Sequence, residues 1–236
     1  MIFLFFIFGL IFGSFFNVVI YRLPKGLSLV KPRSSCPHCK HELRPGELVP
    51  VLSYLWQKGR CKVCKKPISW RYPIVELITG FGFAVVAWGS LSWSDYLVGL
   101  VFFSFLLVLA LIDLEYKLLP NKLTLSGLAL GLLFSLLGWN LSFFSSLLGG
   151  AVGFGLLFAI ALLSRGGMGM GDVKLMALIG SFLGWKAVFY VLFGGALFGS
   201  VGGLIYLYVT KQDRKTPIPF GPSLALAAFL FFLFGR

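Results

Sequence analysis

Long apolar runs recur from one end of this chain to the other, several of them 18 or more residues, the length a helix needs to cross the hydrocarbon core of a bilayer. They fall at about 1–20, 73–92, 96–116, 123–139, 144–164, 173–185, 187–209 and 219–235, bounded by charges, Gly and Pro. A water-soluble surface cannot accommodate them, since 58% of the 236 residues are hydrophobic, 12% are charged and the mean hydropathy is +0.92. The pattern predicts an all-α integral membrane protein of about eight transmembrane helices, the sixth short. No basic residue precedes the first run and no small-residue cleavage pattern follows it, so it is expected to stay as a span.

Charge tests this count, because Lys and Arg of short loops accumulate on the cytoplasmic side. With the N-terminus outside, the loops after spans one, three, five and seven are cytoplasmic. They hold Arg22 through Arg71, Lys117 and Lys122, Arg165 and Lys174, and Lys211, Arg214 and Lys215, leaving only Lys186 and Arg236 outside among the 21 basic residues. This asymmetry explains the net charge of +13 without a nucleic-acid partner. The aromatics of the basic segment, Tyr54, Trp56, Trp70 and Tyr72, lie where such rings anchor at a membrane boundary, which further disfavours RNA binding. Small residues at four-residue spacing, Gly9 with Gly13 and Gly195 with Gly199 and Gly203, predict close helix approach. Gly13, Asn17 and Tyr21 share one face of the first helix, which turns a polar amide into the bundle. No internal repeat is evident.

The segment between Arg22 and Arg71 is the only sizeable polar region, and it contains all four cysteines. Cys36-Pro37-His38-Cys39 and Cys61-Lys62-Val63-Cys64 are two C-x-x-C knuckles separated by 21 residues. Two such turns present four thiolates to one tetrahedral ion, and zinc suits that set. Disulfides are the alternative, disfavoured in a reducing cytoplasm. With so few large apolar side chains, this loop needs a metal to order it, and four thiolates close the coordination shell, so the zinc is expected to be structural. His38 and His41 could substitute as ligands, or stand as solvated surface residues.

Six of the eight acids fit loops or interfaces, whereas Asp113 follows the apolar run 101–112 and Asp172 follows the glycine-rich stretch 166–171. A charge at such depth costs about 2.5–3.5 kcal/mol or more, which marks it as a functional candidate. Two carboxylates around one water can share a proton, one removing a proton from the attacking water while the other stabilises the oxyanion. Gly169 and Gly171 beside Asp172 would let a substrate backbone approach, Gly171 above all. The structural alternatives are that Asp172 caps its helix and Asp113 pairs with Lys117. A proton-coupled transporter using both aspartates, or a membrane scaffold carrying zinc, are the competing functional classes.

These residues resemble a known family. Gly169-Met170-Gly171-Asp172 resembles the GxGD signature of intramembrane aspartyl proteases, and Asp113 with Leu118-Leu119-Pro120-Asn121 resembles the first aspartate motif of type IV prepilin peptidases. The segments 13–24, 69–76 and Pro219-Phe220-Gly221-Pro222, with the double C-x-x-C loop, resemble the family's segments in the same order, although Asn121 stands where many members have Asp. The resemblance implies a bifunctional enzyme of the bacterial inner membrane. It would cleave the basic leader of type IV prepilins or pseudopilins at the cytoplasmic face and methylate the new N-terminus with S-adenosylmethionine. Asp113 and Asp172 would be the catalytic pair, and Cys36, Cys39, Cys61 and Cys64 the zinc ligands. Residues 1–20 would be the first helix, 21–72 a zinc domain with the methyltransferase region, and 73–236 the peptidase bundle. Glu76, in the first turn of span two, is the methyltransferase candidate, with Gly13, Asn17 and Arg22 weaker ones; helix-dipole stabilisation is the other reading of Glu76.

Overall fold

A computed structural model describes residues 2–164, 168–210 and 219–235, with no side-chain description at 206, 207, 209 and 210. Each of the eight apolar runs becomes a helix, with ends displaced by a few residues. In chain order they are α1 (Ile2–Arg22), α3 (Arg71–Gly89), α4 (Trp93–Tyr116), α5 (Asn121–Leu136), α6 (Phe143–Leu163), α7 (Met170–Leu183), α8 (Trp185–Thr210) and α9 (Gly221–Phe234). A five-residue helix in the polar loop, α2 (Leu52–Trp56), was not expected from the sequence. Arg165, Lys211, Arg214, Lys215 and Arg236 of the charge count lie outside the described residues, as do Gly166 and Gly167.

Among the described residues five helices, α1, α3, α4, α6 and α8, are long and apolar enough to cross a membrane. The other three are shorter, with 16 residues in α5 and 14 each in α7 and α9. At 1.5 Å per residue a 14-residue helix rises only about 21 Å, less than a hydrocarbon core. Local breaks cause the shortening. Gly184, at φ +81, ends α7 and hands the chain directly to α8, whereas Pro120 in extended conformation sets the start of α5. The outward faces of the long helices expose Phe3, Phe144, Leu163 and Leu204, side chains that suit lipid and not water.

By contacts the chain forms two units, Met1–Gly89 and Ser90–Arg236, so α3 belongs with α1 and not with the later helices. In the first unit α1 and α3 run antiparallel. A Cβ at Gly9 would meet the Thr79 carbonyl at 2.6 Å and the Gly80 Cα at 2.7 Å, and one at Gly13 would meet the Glu76 Cα at 2.6 Å. The absent side chains are what allow the two backbones to touch. The C-terminal end of α1 and the N-terminal end of α3 therefore lie side by side at the loop that joins them. Asn17 is buried on this seam, its Nδ2 donating to the Tyr72 carbonyl at 3.1 Å and the Gly13 carbonyl at 3.3 Å, while Tyr21 is exposed beneath the Lys25 ammonium.

In the second unit α7 is the core. Every residue from Leu175 to Leu183 is buried, and α5, α6, α8 and α9 pack around it. Gly149 of α6 lies back to back with Gly180 of α7, and Gly131 of α5 makes room for the Phe182 ring, which stacks on Phe102 of α4 at 4.8 Å. Gly195 and Gly199 of α8 face Leu224 and Phe220 at the α9 end of the bundle.

Candidate functional site

The loop of the first unit has almost no apolar core: among residues 23–70 only Cys36, Tyr54 and Cys61 are buried. Its order comes instead from hydrogen-bonded turns, and the two knuckles are the same turn made twice. The Cys36 amide donates to the His41 carbonyl at 2.9 Å and the Lys40 amide to the Cys36 carbonyl at 3.0 Å. Twenty-five positions on, the Cys61 amide donates to the Lys66 carbonyl at 2.9 Å and the Lys65 amide to the Cys61 carbonyl at 2.9 Å. Lys40 and Lys65 both take left-handed backbone, at φ 60 and 58. This local duplication has too little side-chain identity to read from the sequence, because only the cysteines and the left-handed lysines recur.

The duplicated turns bring all four sulfurs within 4.8 Å of one another. Cys36 and Cys64 are 3.8 Å apart and Cys39 and Cys61 are 3.9 Å apart. A disulfide would need about 2.05 Å, whereas a tetrahedron of thiolates about 2.3 Å from a central ion has edges of about 3.8 Å. The geometry is that of a four-cysteine metal site, and the donor set fits a soft or borderline cation. Burial opposes ionisation of Cys36, but the Cys39 and His38 amides bring its thiol down to about 7. The His41 amide favours the Cys39 thiolate, yet burial and the neighbouring sulfurs push it up to about 11. Thiols this close resist ionising together without a cation among them. His41 is not a fifth candidate, since its Nε2 contacts Glu47 Oε2 at 3.2 Å. The Arg44 amide, 2.9 Å from the same oxygen, holds the Glu47 carboxyl below its ordinary value despite burial, and His41 adds to this.

Glu76 is buried in α3, facing α1. Its Oε2 accepts from the Val51 amide at 2.8 Å, and its carboxylate also accepts from the Ser14 hydroxyl. Val51 takes φ 60, an uncommon conformation for a β-branched residue. The carboxylate thus holds the loop to the helix pair through a strained backbone point.

In the second unit Asp113 and Asp172 come together from helices 59 positions apart in sequence. Asp113 sits one turn before the end of α4, buried. Lys117, in left-handed conformation at φ 53, closes that end by donating its amide to the Asp113 carbonyl at 2.9 Å. The Lys117 side chain makes no ion pair with Asp113 among the described residues, so the pairing alternative is not what the fold uses. Asp172 lies in the first turn of α7, where its amide donates to the Gly169 carbonyl at 3.1 Å, and its carboxylate is close enough to that of Asp113 for direct electrostatic interaction. Glu115 is exposed on another face of α4.

A third element completes the group. The Gly221 amide, at the start of α9, donates to Asp113 Oδ2 at 3.0 Å, and a Cβ there would stand 2.7 Å from the same oxygen. Only glycine permits this approach. At Gly171 a Cβ would stand 2.9 Å from the Leu119 Cβ, so that glycine seats α7 against the α4–α5 connection. At Gly169 a Cβ would find ordinary contact with Asp172 Oδ2 at 3.6 Å. Lys174, two residues after Asp172, donates to Asn121 Oδ1 at 2.7 Å and ties α7 to the start of α5. The N-terminal ends of α7 and α9, where unpaired amides carry partial positive charge, both lie at the carboxylate pair. In the sequence Gly221 stands out only as part of the Pro219-Phe220-Gly221-Pro222 motif. Nothing local in the sequence links it to Asp113, 108 positions away.

Two family models match the chain: the Bacterial Peptidase A24 N-terminal domain over residues 7–90, and the Type IV leader peptidase family over residues 100–204. These ranges parallel the two units. A prepilin leader peptidase/N-methyltransferase of Bacillus subtilis (strain 168) is 39% identical, covering 98% of this chain and 93% of its own. Those of Aeromonas hydrophila and Pseudomonas aeruginosa are 39% and 38% identical, covering 98% and 96% of this chain and 89% and 88% of their own. No solved structure matches significantly. With both family models matched and relatives at 38–39% identity over nearly its whole length, the chain belongs to the type IV leader peptidase family.

Proposed function

We propose that this protein removes the leader peptide from type IV prepilins or pseudopilins and methylates the new N-terminal amine. What supports the peptidase half is that the Asp113 and Asp172 carboxylates interact electrostatically in the helical unit and that the Gly221 amide donates to Asp113. A water between the carboxylates loses a proton to one of them as its oxygen attacks the scissile carbonyl. The other donates a proton towards the developing oxyanion and then to the leaving amine. The Gly221 amide holds the Asp113 carboxylate in register. A transporter reading finds no support in the family.

The methyl half needs a group whose sulfonium delivers a methyl to an amine, and S-adenosylmethionine supplies that chemistry when bound. Its ammonium and sulfonium are cationic, so a carboxylate is the fitting partner, accepting from the ammonium, and Glu76 is the one acid of α1 and α3. Glu76 would hold that ligand while anchoring Val51. Glu76→Gln is expected to cut methylation about tenfold or more with leader cleavage unchanged, read by mass spectrometry of the product N-terminus. Equal loss of both would make Glu76 a purely structural anchor.

The four cysteines would hold one structural zinc. Metal analysis is expected to find one zinc per chain, and Cys64→Ser to lose it. Since a structural zinc contributes about 10–16 kcal/mol to a small domain at neutral pH, the loop should then become protease-sensitive. The charge asymmetry supports an inner-membrane orientation with the N-terminus outside and the basic loop and aspartates on the cytoplasmic side. Incubating purified protein with a prepilin, with and without S-adenosylmethionine, tests the whole reading. Leader removal is expected in both cases and methylation only in the first; an intact prepilin in both would overturn it.

A further inference from the structure

The metal-binding loop carries a second feature that neither proposed reaction uses. A cleft of about 860 Å³ opens beside the second knuckle, and its wall includes Arg44, Lys58, Arg60, Lys62 and Lys65. The single acid in the wall is Glu47, which is engaged by His41 and the Arg44 amide and interacts with Lys62. Two of the cations are held at a conformational cost. Lys58 and Lys65 have left-handed backbone, at φ 51 and 58, where Gly or Asn would be at ease. Lys65 takes it within the knuckle turn that Lys40 repeats, and both Lys58 and Lys65 bring charge to the cleft wall.

The ligands of the proposed function do not suit it. A prepilin leader is basic and S-adenosylmethionine is cationic, so five basic side chains repel both. An anion is required. The surroundings narrow its source, because α2, whose Ser53 and Trp56 line the cleft, also exposes Leu52 and Leu55, with Trp56 itself 71% exposed. A soluble phosphate compound would leave this apolar edge in water. The loop joins the neighbouring ends of α1 and α3, both long and apolar enough to cross a membrane, so it leaves and re-enters the same membrane surface. Basic clusters beside a membrane span recognise anionic lipid through its phosphate, and exposed Trp and Leu enter the same interface.

We propose that this basic cleft holds the phosphate of an anionic phospholipid headgroup, with α2 resting in the interface beside it. The cations meet the phosphate oxygens, and Leu52, Leu55 and Trp56 cover the glycerol and first acyl carbons. The site is independent of the dyad and of the methyl-transfer reading.

Titration of the full chain in nonionic detergent with dihexanoyl phosphatidylglycerol and with dihexanoyl phosphatidylcholine tests it, with glycerol 1-phosphate as the soluble-phosphate arm. The phosphatidylglycerol is expected to bind more tightly than either, and to weaken as salt is raised. The pair of substitutions Lys58→Asn and Lys65→Asn removes two charges while Asn accepts the left-handed backbone. Affinity should fall about 25-fold, about fivefold for each lysine near an anionic surface. Lys58→Arg with Lys65→Arg should restore it. Retained metal shows that the loop is folded; if the Asn pair loses its metal, Lys62→Gln gives the reading, with a fall of about fivefold expected. Equal affinity for the two lipids, or unchanged affinity in a metal-retaining variant, would overturn the proposal. Glycerol 1-phosphate binding as tightly as phosphatidylglycerol would also overturn it, assigning the cleft to a soluble phosphate.

Discussion

Asp113→Asn is expected to slow leader cleavage by about 10²–10⁴-fold at least, the usual contribution of a positioned acid or base. The asparagine has nearly the same shape, and its Oδ1 can still accept the Gly221 amide that now reaches Asp113 Oδ2 at 3.0 Å. The fold should therefore survive, and metal content and thermal unfolding should match the parent. What is lost is the ability to take or give a proton. Asp172→Asn should behave alike. The double variant should be scarcely slower than either single one, because members of one catalytic unit are strongly non-additive. If the two losses multiplied, the carboxylates would be acting at separate places, and a shared water between them would be untenable. Rates of leader release from a purified prepilin, measured over single turnovers, decide this.

Gly221→Ala is expected to reduce cleavage about a hundredfold although it removes no functional group. Its Cβ would stand 2.7 Å from Asp113 Oδ2 and 3.2 Å from Cγ, so either the carboxylate or the start of α9 must move. A displacement of about 1 Å in a reacting group can cost about 10²-fold in rate. Gly171→Ala, which would crowd the Leu119 Cβ at 2.9 Å, should be costly as well, whereas Gly169→Ala meets only ordinary contact. The ordering of the three alanine variants separates backbone approach from mere loop flexibility, since flexibility alone would make Gly169 at least as sensitive as Gly221. Wild-type cleavage by Gly221→Ala would show that the amide contact to Asp113 is dispensable.

The α-helical membrane architecture was legible because lipid imposes a simple rule: a span must be apolar and must satisfy its own backbone. The same rule made Asp113 and Asp172 conspicuous, since charges so placed are expensive. Cys36, Cys39, Cys61 and Cys64 were legible through local spacing, each knuckle being a single turn. Helix lengths were read less well. The short sixth span was expected and is α7, but for α5 and α9 apolar composition runs past the ends, and only backbone conformation shows where those helices stop.

Which chemical groups this protein has to work with was determined by sequence alone, because bilayer energetics and metal-ligand spacing act over one helix or one turn. Which of them meet was decided by tertiary structure. The Gly221 amide reaches Asp113 across 108 positions, Lys174 reaches Asn121 across 53, and Glu76 reaches Val51 across 25. Such meetings follow from how helices pack through their glycine faces, and no periodicity along the chain encodes a contact made by two remote backbones.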